Sequence, residues 1–155
     1  MTALSYFATA MFGLMAGFFY AFSVCVMPGL DQVDPAAAIE AMQGINRAVR
    51  NPVFFATFFL SPLVGAAAAI ACARGGERSA AMFFAAAAAI YVVAAIIPTT
   101  LINVPLNNAL AATDMLNPSE IWSAYSGQWT LSNHARTLAA TVATVVAAMG
   151  VRRLG

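Results

Sequence analysis

Four long apolar stretches succeed one another along the chain, and its polar residues gather between them. Residues 3–27, 52–73 and 79–102 hold no charged side chain, and 133–151 is apolar beyond its first turn. Each exceeds the roughly 18 uncharged residues that mark a membrane-crossing helix. Backbone groups in lipid must satisfy one another internally, so each stretch is predicted to be helical. The first lacks a basic leading segment and is long for a signal peptide, so it is read as a retained span. The expected fold is an all-α, integral membrane four-helix bundle, forming one domain over residues 1–155.

Two polar segments, 28–51 and 103–132, join the first span to the second and the third to the fourth. In the first, Asp34-Pro35 is a good helix start, an N-cap acceptor followed by a proline at the first turn. Ile39, Met42, Ile45 and Val49 then recur at steps of three and four, an amphipathic stripe that ends at Asn51-Pro52. This short helix is expected to lie along the membrane surface, over the mouth of the bundle. In the second segment, Asn117-Pro118-Ser119-Glu120 predicts another short helix through Trp122 and Tyr125. Both aromatics read as an interfacial belt. Pro105 is expected to unwind the end of span three, leaving backbone carbonyls free.

Composition agrees with a lipid-facing surface. The 155 residues are 62% hydrophobic and 8% charged, with a mean hydropathy of +0.81; soluble domains are about 25% charged. With a net charge of +1 and no basic stripe, nucleic acid is not an expected partner. Arg74 and Arg78 between spans two and three, and Arg152 and Arg153 at the end, place both termini in the cytoplasm (N-in/C-in) by the positive-inside rule. The two long loops then face outward, most simply from a bacterial inner membrane. Cys25 and Cys72 should be separated by most of the bilayer, and neither has metal-type spacing. Gly13 and Gly17 form a small-xxx-small pair. That pattern suits close helix contact inside the bundle or in a homo-oligomer.

The informative chemistry is a polar cluster where spans three and four meet the outer loop. Span three runs into Asn103-Val-Pro-Leu-Asn107-Asn108, and span four opens with Trp129-Thr-Leu-Ser-Asn133-His134-Ala-Arg136. Polar groups at bilayer depth are costly and tend to face a bundle interior, where they mark sites. Asn133 and Arg136 share a helical face. Arg136 stays charged and must find water, a carboxylate or a carbonyl; Asp114 or Glu120 could tie it to the loop instead of a ligand. His134 points about 100° away from Asn133 and could line a pocket or meet headgroups. The chain has one histidine, with no Glu-x-x-His or Cys/His partner, so no zinc or di-iron site is expected. Haem held by two histidines is impossible within one chain, although a His/Met haem stays open.

The order of several motifs resembles the anthrone oxygenase-like family of small four-helix membrane proteins. The elements are Met27-Pro28-Gly29-Leu30, Ala41-Met42-Gln43-Gly44-Ile45-Asn46, Asn51-Pro52-Val53-Phe54, Asn103-Val104-Pro105-Leu106-Asn107, and Trp129 with Asn133 and Arg136. The resemblance covers nearly the whole chain. It implies oxidation of a polyketide anthrone to an anthraquinone by O2, without a cofactor. His134, outside the matching motif, could be the base, or else a water held by the Asn groups or a loop carboxylate such as Asp114; Arg136 and Asn133, with Asn103 or Asn107, would stabilise the oxyanion. Trp129, Phe18, Phe22 and Phe54 would wall a pocket that Asn46 also contacts. Two other classes stay open: a membrane protein that only holds a lipophilic quinone or haem, and a structural or accessory subunit.

Overall fold

The computed structural model describes residues 2–154 and contains five helices. α1 (Thr2–Leu30), α3 (Pro52–Arg74), α4 (Arg78–Ala111) and α5 (Pro118–Val151) are each long and apolar enough to cross a membrane. α2 (Pro35–Ala48) is the short amphipathic helix between α1 and α3. Many large apolar side chains stay exposed, Leu14, Leu63, Met82 and Leu138 among them. An exposed surface of this kind needs an apolar solvent, so the chain is an integral membrane protein.

The start of α2 follows the expected chemistry: Asp34 Oδ1 accepts from the backbone N–H of Ala36 and Ala37. Asn51 caps α3 by accepting from Phe54 N at 3.0 Å. The second connection differs from expectation. Trp122 and Tyr125 do not form a separate short helix, because α5 starts at Pro118 and continues unbroken for 34 residues. Nor do they form an interfacial belt. Both are buried against Ala38, Ile39 and Met42 of α2, and the Trp122 indole donates to Asp31 Oδ1 at 2.8 Å.

Prolines shape α1 and α4 without ending them. Wide π-helical turns occur at Phe22–Val26, Val92–Ile96 and Thr99–Asn103. Their closing donors are the amides of Met27, Ile97 and Val104, which reach back to Phe22 O, Val92 O and Thr99 O. Each of these three residues is followed directly by a proline: Pro28, Pro98 or Pro105. A proline lacks the donor for the carbonyl four residues back and its ring crowds that carbonyl. Widening the preceding turn relieves both problems. The expected unwinding at Pro105 therefore does not happen, and the helix continues to Ala111.

The core has two parts. At the end shared by the chain termini, Phe12, Phe84 and Tyr91 pack with Ala68, Ala140, Ala143 and Ala147. Helix approach is tightest at Gly65 and Gly150, where an added Cβ would lie 2.9 Å from Phe12 Cζ and 3.0 Å from Phe83 Cβ. The Gly13/Gly17 pair is not the tight point: a Cβ on Gly17 would meet nothing within 4 Å. At the other end, α2 covers the bundle through Ile39 and Met42. Between the two parts lies a cavity.

Candidate functional site

The cavity has a volume of about 440 Å³, within the roughly 300–1,000 Å³ of small-molecule sites. All five helices contribute to it. α1 provides Phe18, Phe19 and Phe22, and α3 provides Phe54 and Phe58. Phe54 and Phe58 stack with ring planes 12° apart. α2 closes the end with Ile45, Asn46 and Val49, while α4 adds Thr99, Asn103 and Asn107, and α5 adds Trp129 and Arg136. The walls are thus aromatic, with the polar groups on the α4–α5 side and beneath α2.

Arg136 is 5% exposed. Its Nη1 donates to Thr99 Oγ1 and its Nη2 to Asn133 Oδ1, both at 3.0 Å. The guanidinium carbon lies 4.8 Å from the Phe19 ring centroid and 5.1 Å from that of Trp129. Aromatic faces stabilise a desolvated cation by about 2 kcal/mol. Nε has no hydrogen-bond partner. Among the described residues no carboxylate pairs with this arginine; Asp114 and Glu120 do not tie it to the loop. A buried, uncompensated positive charge is costly unless something that enters the site uses it.

The amides hold this arrangement. Asn133 is fully buried behind Arg136 and does not line the cavity. Its Nδ2 donates to Phe19 O and to Ser23 Oγ, both at 2.8 Å, which locks Oδ1 toward Arg136. Asn103, 1% exposed, accepts from Ser132 Oγ at 2.7 Å and donates to Trp129 O at 3.3 Å. Asn107 Oδ1 accepts from the Tyr125 hydroxyl at 2.8 Å and the Trp129 indole at 2.9 Å. Asn46 sits beside the Tyr125 hydroxyl, with its Nδ2 buried.

Of the sequence-derived candidates, Arg136, Asn103, Asn107, Trp129, Asn46, Phe18, Phe22 and Phe54 all line the cavity. His134 does not. It is exposed on the far side of α5, in a shallow recess with Asp31, Ser126 and Thr130. The 100° step from one helical residue to the next, which buries Asn133, turns His134 outward. Its Nδ1 lies 2.9 Å from Ser23 Oγ.

Other contributors were not singled out by the sequence. Thr99 reads as a neutral residue inside a span, yet it holds Arg136. Phe19 and Phe58 look like any other span phenylalanine. Ser23 and Ser132 orient Asn133 and Asn103. Only Pro98 beside Thr99 hinted at a special backbone. The lining includes no imidazole, thiol, thioether or carboxylate.

The comparisons with known proteins fit this picture. A family model described as anthrone oxygenase matches residues 52–146, from the start of α3 into α5. No curated protein and no solved structure matches the chain. The matched region is more than half of the sequence and carries the α4 and α5 polar groups of the cavity, and the chain belongs to the anthrone oxygenase family.

Proposed function

We propose that this protein oxidises a lipophilic, anthrone-type aromatic ketone with O2 in the cavity between α2 and the four long helices. The observation that carries this reading is Arg136: a buried, rigidly held guanidinium with two of its five N–H donors used and no carboxylate beside it, in the lining of an aromatic cavity. An anthrone carries a weakly acidic methylene opposite its carbonyl. Removing a proton from that carbon moves negative charge onto the oxygen. Arg136 is placed to stabilise this oxygen, and preorganised donors of this kind act mainly on the transition state. The rings lie between Phe54, Phe58, Phe22 and Trp129.

The reaction balances without a further reagent. The carbanion gives an electron to O2, and the resulting radical pair joins at the same carbon as a peroxide. Protonation gives a hydroperoxide. Loss of the second C–H proton with O–O cleavage releases water and leaves the new carbonyl. One anthrone and one O2 become one anthraquinone and one water. His134 lies outside the cavity, so the first proton passes to water at the amide-lined end near Asn46, Asn107 and Asn108. The base is thus solvent, and the protein's role is to make the substrate more acidic.

The lack of a side-chain base in the lining favours a second reading, in which the cavity only holds a quinone-like ligand. A haem fits less well, since the lining offers no histidine, methionine or cysteine. Oxygen uptake by the purified protein with a hydroxyanthrone separates the two. The oxygenase reading expects uptake well above the spontaneous rate, lost in Arg136→Ala. Equal rates in wild type, variant and buffer would leave a ligand holder.

A further inference from the structure

The geometry points to lateral loading: the cavity receives a neutral, bilayer-dissolved planar ligand through a gap between α3 and α4, and not from the aqueous phase. This rests on the proposal that the cavity holds a lipophilic aromatic molecule.

The gap arises from how α4 runs. α3 packs closely on α4 along Arg78–Tyr91 and not along Val92–Ala111. From Val92 onward α4 packs instead on α5 and, near its end, on α2. That diverging segment carries Pro98, Pro105 and two of the three π-helical turns, features that redirect a helix. The cavity lies where the two helices part. Between α3 and α4, four lining residues are also on the outside of the bundle: Phe55 (42% exposed) and Phe59 (50%) on α3, with Thr100 and Val104 (40%) on α4. One continuous surface therefore runs from the Phe54–Phe58 wall past these residues to the lipid-facing side.

The cavity also opens at the α2 end, and that opening is polar, with the exposed Arg50 and Asn108 in its lining. Ile45, Asn46 and Val49 sit over the cavity there. Arg50 reaches from the end of α2 to α4, where its Nη2 donates to Asn108 Oδ1 at 3.3 Å in an exposed hydrogen bond. A permanently charged molecule would have to leave water to use the lipid-side gap, at a cost of several kcal/mol. A neutral three-ring ketone, already dissolved in the bilayer, pays no such cost. The site therefore selects its ligand by partitioning before it selects by contact, and Thr100 and Val104 set the width of the opening.

The test uses the full chain in lipid vesicles and an unreactive probe, anthraquinone, so that loading is read without turnover. Stopped-flow quenching of the native tryptophans reports arrival beside Trp129. The loading rate should follow the mole fraction of probe in the bilayer and fall when lipid is added at constant total probe. Anthraquinone-2-sulfonate should load far more slowly. Thr100→Phe and Val104→Phe should slow both loading and release by about tenfold, within the one to three decades over which on-rates vary for one site. Val93→Phe, a lipid-facing change outside the cavity, controls for added bulk. A rate that follows aqueous concentration, a sulfonate that loads as fast as the neutral probe, or gap variants that match the control would overturn lateral loading. If the gap variants do not fold, the lipid-dilution series in wild type decides alone. Absence of any quenching in wild type would instead remove the ligand-binding reading itself, and lateral loading with it.

Discussion

Arg136 and Asn133 sit three residues apart on α5, and the 3.0 Å bond from Nη2 to Oδ1 joins them where α1, α4 and α5 meet. The pair divides the work. Asn133 is buried and held by Phe19 O and Ser23 Oγ, so it cannot turn. Arg136 takes its orientation from that amide and from Thr99, and presents its charge to the cavity. A neutral amide is the right partner for this purpose. It fixes the guanidinium without cancelling its field.

Asn133→Asp tests that division. The carboxylate would keep a bond to Arg136 but neutralise the charge facing the cavity. It would also lose the donors to Phe19 O and Ser23. Turnover of a hydroxyanthrone should fall by about 10²-fold or more, on the scale seen when an oxyanion donor is removed. The melting temperature in detergent should change little, because an ion pair replaces the lost bonds. Normal turnover in this variant would show that the charge on Arg136 does not matter.

Arg136→Met separates chemistry from stability. The substitution removes a buried charge and keeps a long apolar side chain. Replacing buried ionic groups by apolar ones of similar volume is often neutral or stabilising by about 1–4 kcal/mol. Thermal unfolding should therefore be unchanged or shifted upward, while catalysed oxygen uptake is lost. Loss of folding would assign Arg136 a structural role instead.

His134→Ala addresses the base. Because His134 faces away from the cavity, its removal should leave the shape of the pH–rate profile as in wild type. A histidine acting as general base gives a limb that falls at low pH and disappears with the residue. Disappearance of such a limb in His134→Ala would restore the histidine to the mechanism.

Gly65→Ala tests the tightest helix contact. The new methyl would lie 2.9 Å from Phe12 Cζ and 3.3 Å from Ala88 Cβ. Phe12 is fully buried and packed on Tyr91 with ring centroids 5.4 Å apart, so the ring has little room to retreat. Destabilisation of about 1–3 kcal/mol is expected for such overpacking. Gly17→Ala, with open space around it, should be nearly neutral by comparison. Equal melting temperatures for both variants would contradict the packing.

The sequence by itself determined the solvent and therefore the class of fold. Four long uncharged stretches leave a chain no soluble solution, and lipid permits only helices for isolated segments of that kind. The same physics made Asn103, Asn107, Asn133 and Arg136 legible as a buried polar cluster, since polar groups at that depth are costly and tend to face the bundle interior. The amphipathic stripe through Ile39, Met42, Ile45 and Val49 gave α2 and its place over the bundle. Tertiary structure decided the rest. Whether Arg136 met Asp114, Glu120 or a cavity depended on how α5 turns against α1 and α4, and local spacing does not encode that rotation. The same holds for His134, because one residue along a helix moves a side chain to another face. Pro105 looked like a break, but the turn before it widens into a π turn and the helix continues to Ala111. Pro98 and Pro105 mark the segment of α4 that leaves α3, but not where that segment goes. Where it goes follows from α3 and α4 losing contact beyond Tyr91, a relation between distant segments that exists only once the bundle has assembled.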